Sequence, residues 1–91
     1  GRDSMKITGQ ILKENREKKG ISISEVALAT KINVKSIQAM EAGDMERLPQ
    51  RTYLRGFVHA YASFLGLDVK QILETLNEEI GPQRIKSPLE G

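Results

Sequence analysis

Glycine interrupts an otherwise helical sequence at three well-separated places, Gly20, Gly43 and Gly66. Each follows a run whose apolar residues recur at helical spacing, and glycine accepts the left-handed backbone that closes a helix. Start signals stand between these stops. Thr8 is placed to cap a first helix running to about Lys19, with Ile7 and Leu12 as a hydrophobic staple around it. Ser22, with Glu25 three residues later, is a capping box that opens a second helix to about Thr30 or Lys31. Asn33 caps a third helix ending at Gly43. Pro49 prepares a longer fourth helix, from about Arg51 to Leu65. Asp68, with Gln71 at the box position, caps a fifth, whose Val69, Ile72, Leu73, Leu76 and Ile80 share one stripe. No segment alternates with period two, so no strand is expected. The pattern predicts an all-α bundle of five helices.

The 91 residues suffice for one small core. With 38% hydrophobic and 29% charged residues, the chain has the make-up of a folded domain and not of a disordered one. The helical signals place that domain at residues 7–80. Residues 1–6 read as a disordered lead, its polar Gly1 to Ser4 standing ahead of Met5 like an expression remnant. Residues 81–91 carry Pro82 and Pro88 without apolar periodicity and read as a linker. No cysteine is present, which excludes a disulfide framework and a cysteine-based zinc site and fits a reducing cytoplasm. No apolar run approaches the roughly 18 residues of a membrane helix, and the start has no secretory pattern. The net charge is only +2, but it is uneven. Residues 1–67 hold 11 basic and 7 acidic side chains, whereas residues 68–91 hold 3 and 5. A polyanion would meet the first part.

Catalytic chemistry finds little support. His59 is the only histidine and has no cysteine or second histidine with which to share a metal. The carboxylates are scattered over caps and helix surfaces, with no pair marked as acid and base. The glycines are spread along the chain and form no phosphate-binding loop. The expectation is a binding module with no enzyme activity, no cofactor, no metal and no small-molecule substrate.

The second and third helices are joined by about three residues. Ala27 is small at the middle of the second, and Ile37 and Met40 face back from the third. This is the helix-turn-helix pattern of DNA-binding proteins. The run Ile21 to Ala27, then Ile32 to Ile37, then Met40-Glu41-Ala42-Gly43, resembles the Cro/CI-type (xenobiotic-response-element) helix-turn-helix superfamily. That implies a lambda-repressor-like DNA-binding-domain fold. A narrower resemblance follows. Glu41-Ala42-Gly43-Asp44, Leu48-Pro49, Thr52-Tyr53-Leu54-Arg55-Gly56-Phe57-Val58, Ala60-Tyr61-Ala62 and Leu65-Gly66-Leu67-Asp68 resemble the cytoplasmic domain of the RodZ family of bacterial cell-shape proteins. The resemblance spans roughly residues 8–80. It implies a domain that precedes a membrane span, lies at the cytoplasmic face of the inner membrane and binds the bacterial actin MreB. In the Cro/CI-type pattern, residues at the places of Arg16 and Glu41 pair between the first and third helices, so an internal ion pair is expected of these two.

All four aromatic residues, Tyr53, Phe57, Tyr61 and Phe64, fall in the fourth helix. Its apolar positions cover an arc of roughly 160°, wider than the roughly 100° that a single core face needs. Leu54, Phe57 and Tyr61 form the centre of the arc, and Tyr53, Ala60 and Phe64 one margin. The opposite face is Thr52, Arg55, Gly56, His59 and Ser63. An exposed aromatic beside arginine is the usual make-up of a protein-binding hot spot. Here the cations beside the exposed margin are Arg51 and Arg55, the expected rim, and the RodZ resemblance assigns the contact with actin to Tyr53 and Phe57.

The alternative partner is duplex DNA, with this chain as a transcriptional regulator that reads through its third helix. Val34, Lys35, Gln38 and Ala39 stand at the expected outward positions. Gln38 could bond adenine, and Lys35 guanine or a phosphate. Lys31 and Ser36 complete the candidate set. Two departures weaken it. Ile23 replaces the glutamine frequent in the Cro/CI-type pattern, and Lys31 stands where a turn glycine is usual.

Overall fold

The computed structural model describes residues 4–48 and 51–81, without the side chain of Arg51. Pro49, expected to prepare the fourth helix, and nearly all of the expected linker lie outside the described residues. Five α-helices follow one another: α1 (Lys6–Lys18), α2 (Ile23–Thr30), α3 (Val34–Ala42), α4 (Leu54–Phe64) and α5 (Val69–Ile80). Among the described residues there is no strand, only an isolated antiparallel bridge between Ser4 and Asp44.

Local chemistry sets most boundaries as expected. Ser22 and Glu25 form both bonds of a capping box, Asn33 accepts the Ser36 N–H, and Asp68 accepts the Gln71 N–H. Gly20 and Gly43 close α1 and α3 with positive φ. Lys31 closes α2 at φ 66°, a conformation in which a side chain costs about 1 kcal/mol or more. The fourth helix differs from expectation at its start. Arg51–Tyr53 form a tighter 3-10 turn, and the α-helix begins at Leu54.

Two expectations about the first helix are corrected. Thr8 is not its cap. The helix starts three residues earlier, with Met5 at the cap position, and Thr8 is buried inside it. The free N–H groups of Ile7 and Thr8 are accepted by Glu79 of α5, at 2.6 and 2.8 Å, and the Thr8 hydroxyl donates to the same carboxylate. A carboxylate at a helix N-terminus also meets the positive end of the helix dipole. Ile7 is exposed while Leu12 is fully buried, so these two form no staple. The expected disordered lead is corrected as well, since from Ser4 onward it belongs to the fold. Met5 is fully buried, and its N–H donates to the Gly43 carbonyl.

α1 packs against α3 and α5, α2 against α3 and α4, and α4 against α5. Leu12, Val26, Ile37, Met40, Val58, Tyr61 and Leu76 meet in the common core. The α1–α3 crossing is close because residue 9 lacks a side chain. A Cβ on Gly9 would lie 2.2 Å from the Met40 carbonyl oxygen.

Candidate functional site

α1, α3 and α4 are tied together beneath the candidate surfaces by one polar cluster. The Arg16 guanidinium grips Glu41 with two bonds, Nε to Oε2 at 2.6 Å and a terminal nitrogen to Oε1 at 3.0 Å. A third Arg16 N–H donates to the Ile21 carbonyl. The Tyr61 hydroxyl, from α4, donates to the same Glu41 carboxylate. The Glu41 bond raises the Arg16 pKa above its ordinary value, and Coulomb attraction to Glu41 adds to it. Burial, then the bond to Glu41, raises the Tyr61 phenol above its ordinary value. The third member is not evident in the sequence as a partner, although a tyrosine at the centre of a buried arc needs some acceptor for its hydroxyl.

The arc on α4 divides as its periodicity demands. Leu54, Val58, Tyr61, Ala62 and Leu65 are buried, and Thr52, Gly56, His59 and Ser63 are exposed. Ala62 extends the buried face beyond the expected arc. Tyr53 is 56% exposed at the start of the helix. Phe57 is half-buried against the core, and its ring centroid lies 6.1 Å from that of Tyr53, tilted by 46°. Phe57 thus holds the exposed tyrosine ring from behind. Arg55 is half-buried. The side chain of Arg51, the other expected rim cation, lies outside the description.

The third helix presents fewer readers than its sequence promises. Lys31, Val34, Lys35 and Gln38 are exposed. Ala39 is 1% exposed and Ser36 0%, so neither can reach a base edge. Ser36 is therefore withdrawn as a DNA-binding residue, and its Oγ has no hydrogen-bond partner. The reason is packing on two sides, since α3 lies against both α1 and α2. Only a narrow strip of its surface is left outward.

Residues 11–72 match the profile of the helix-turn-helix domain family, a span that includes both surfaces. The chain belongs to this helix-turn-helix domain family. Among curated relatives, the cytoskeleton protein RodZ of Streptococcus pneumoniae (strain ATCC BAA-255 / R6) is 35% identical over 69 residues. The match covers 76% of this chain and 25% of that protein. The uncharacterized membrane protein YmfM of Bacillus subtilis (strain 168) is 33% identical over 60 residues, covering 66% of this chain and 21% of that protein. The helix-turn-helix chain thus spans a quarter or less of the length of these two relatives. Among solved structures, YmfM from Staphylococcus aureus, described as a candidate DNA-binding membrane protein, superposes with a TM-score of 0.79 at 26% identity. That match covers 88% of this chain and 98% of the other, so the all-helical helix-turn-helix fold is shared over nearly its full length.

Proposed function

We propose that this chain is the cytoplasmic adaptor domain of a RodZ-like cell-shape protein and that it docks α4 onto the bacterial actin MreB. The observation that carries this reading is the Tyr53–Phe57 pair: an exposed ring supported by a half-buried one at the start of α4. A large aromatic held rigid at the surface gives contact area at little cost in side-chain entropy, which is how interface anchors work. Homology to RodZ supports the choice of partner. No helix among the described residues is long and apolar enough to cross a membrane. In this reading the anchor to the inner membrane lies in another part of the protein, as the membrane relative YmfM encourages.

The test is co-sedimentation with purified MreB filaments, wild type beside Tyr53→Ala. An exposed side chain contributes little to the fold, so the variant should keep its melting temperature and lose about 1–2 kcal/mol of binding. Equal pelleting of the two proteins would remove Tyr53 from the interface.

A second reading, DNA binding through α3, is favoured by the description of the Staphylococcus aureus structure. Lys31, Lys35 and Gln38 would carry it, since all three are exposed. It requires affinity for duplex DNA that falls steeply with salt and drops on Gln38→Ala.

A further inference from the structure

The corner between α2 and α3 exposes apolar surface that neither reading above uses. Leu28, in the last turn of α2, is 74% exposed, more than any other large apolar residue described. Val34 opens α3 and is 38% exposed. Only residues 31–33 separate the two helices, and Ile32 among them is buried, so both side chains stand at one corner of the molecule.

Two cations share that corner. Lys31 and Lys35 are exposed, and neither makes an ion pair among the described residues. On α3, Val34 and Lys35 bound one exposed strip about 100° wide, with Gln38 inside it. The sequence has no acidic residue between Glu25 and Glu41. Both of those carboxylates are engaged elsewhere. Glu25 accepts the Ser22 N–H at the start of α2, and Glu41 holds Arg16 and Tyr61 beneath α3. The corner is therefore apolar and positive, with no counter-charge from its own segment. Lys31 adds a second observation. Among the described residues it is the only one besides glycine with positive φ. A glycine would close α2 without that strain, so the fold itself does not ask for a lysine. Strain kept at an exposed position points to a task for the side chain that it carries.

An anionic lipid surface has the matching chemistry. Apolar side chains enter the boundary between headgroups and acyl chains, and lysine stems lie in the same layer while their ammonium groups rise to the lipid phosphates. Duplex DNA would satisfy the lysines but offers Leu28 nothing apolar along its phosphates. We propose that the α2–α3 corner rests on an anionic bilayer, with Leu28 and Val34 inserted and Lys31 and Lys35 on the phosphates. This rests on the part of the reading above that places the domain beside a membrane, and it uses a different face from the α4 contact. Two lysines and two apolar residues bind weakly, with half-binding at about millimolar lipid, which suits a contact that orients an already tethered domain.

The test is sedimentation with vesicles of phosphatidylglycerol and phosphatidylcholine, beside vesicles of phosphatidylcholine alone, without MreB. Wild type should pellet with the anionic vesicles only. Leu28→Ser and Lys35→Glu should each weaken pelleting about fivefold or more at an unchanged melting temperature. Lys31→Gly should not lower the melting temperature, yet should weaken pelleting about fivefold. A Lys31 that serves only the turn would leave pelleting unchanged. The chain has no tryptophan, so Leu28→Trp supplies a single reporter whose emission should shift to the blue on anionic vesicles. No pelleting of wild type at millimolar lipid would overturn the proposal. Equal pelleting with phosphatidylcholine alone would remove the lysines from the contact and overturn its chemistry. A Leu28→Trp shift with duplex DNA but not with vesicles would make the corner a nucleic-acid surface instead. Because no step contains MreB, failure here leaves the α4 reading standing, and failure of that reading leaves the vesicle result unchanged.

Discussion

Tyr61 shows how one residue joins packing to ionisation. Its ring is fully buried, and its hydroxyl reaches Glu41 from α4. Burial first, and the Glu41 bond second, raise its pKa above the ordinary tyrosine value of about 10. The folded protein therefore holds this proton more tightly than the unfolded chain does. That contribution to stability is complete below pH about 10 and is lost as pH rises above it. Tyr61→Phe should cost about 1–2 kcal/mol at neutral pH and flatten the alkaline fall in stability, as read from melting temperatures across a pH series. The sequence places Tyr61 at the centre of an apolar arc but does not name its partner, because Glu41 lies in another helix. The caps Ser22, Asn33 and Asp68 are legible because donor and acceptor are only three residues apart.

Among the elements, α1 and α5 depart furthest from a local reading. The stripe of α5 was legible from its spacing, and Ile72 and Leu76 are indeed buried. Its Glu79 was not legible as the acceptor for α1, and Thr8 looked like a cap because its position in sequence suits one. The structure gives that task to the Glu79 carboxylate, which accepts three hydrogen bonds. Glu79→Ala should destabilise the domain by about 1–3 kcal/mol. It should also speed amide hydrogen exchange at Ile7, Thr8 and the last turn of α5, while the α2–α3 amides stay protected. Uniform loss of protection would mean that Glu79 supports the whole core and not one seam. α3 gives the complementary lesson. Its period and caps could be read from the sequence, but which outward positions remain open depends on two neighbouring helices, and Ser36 and Ala39 are covered by them.

Across the whole molecule, the two candidate surfaces sit on different helices that share one support. Arg16, Glu41 and Tyr61 come from α1, α3 and α4 and meet at a single carboxylate. Removing that carboxylate leaves an arginine and a phenol without their acceptor. Glu41→Ala should therefore cost about 3–5 kcal/mol in a urea titration, far more than Tyr61→Phe. Such a loss would be a large fraction of the stability of a domain this size. A cost below about 1 kcal/mol would show that water replaces the carboxylate freely. The Arg16–Glu41 pairing was implied by a family resemblance and not by spacing, which is why its third arm was missed.

The Glu79 clamp also bears on how the molecule is made. Its bond to Ile7 joins residues 72 positions apart. A ribosome delivers chain from the amino end, so the first turn of α1 is synthesised long before its acceptor exists. Until α5 has left the exit tunnel, water must solvate those two amides, and that turn stays frayed. Within this domain, α1 is translated before the other four helices yet is completed only when α5 brings Glu79 back to its first amides.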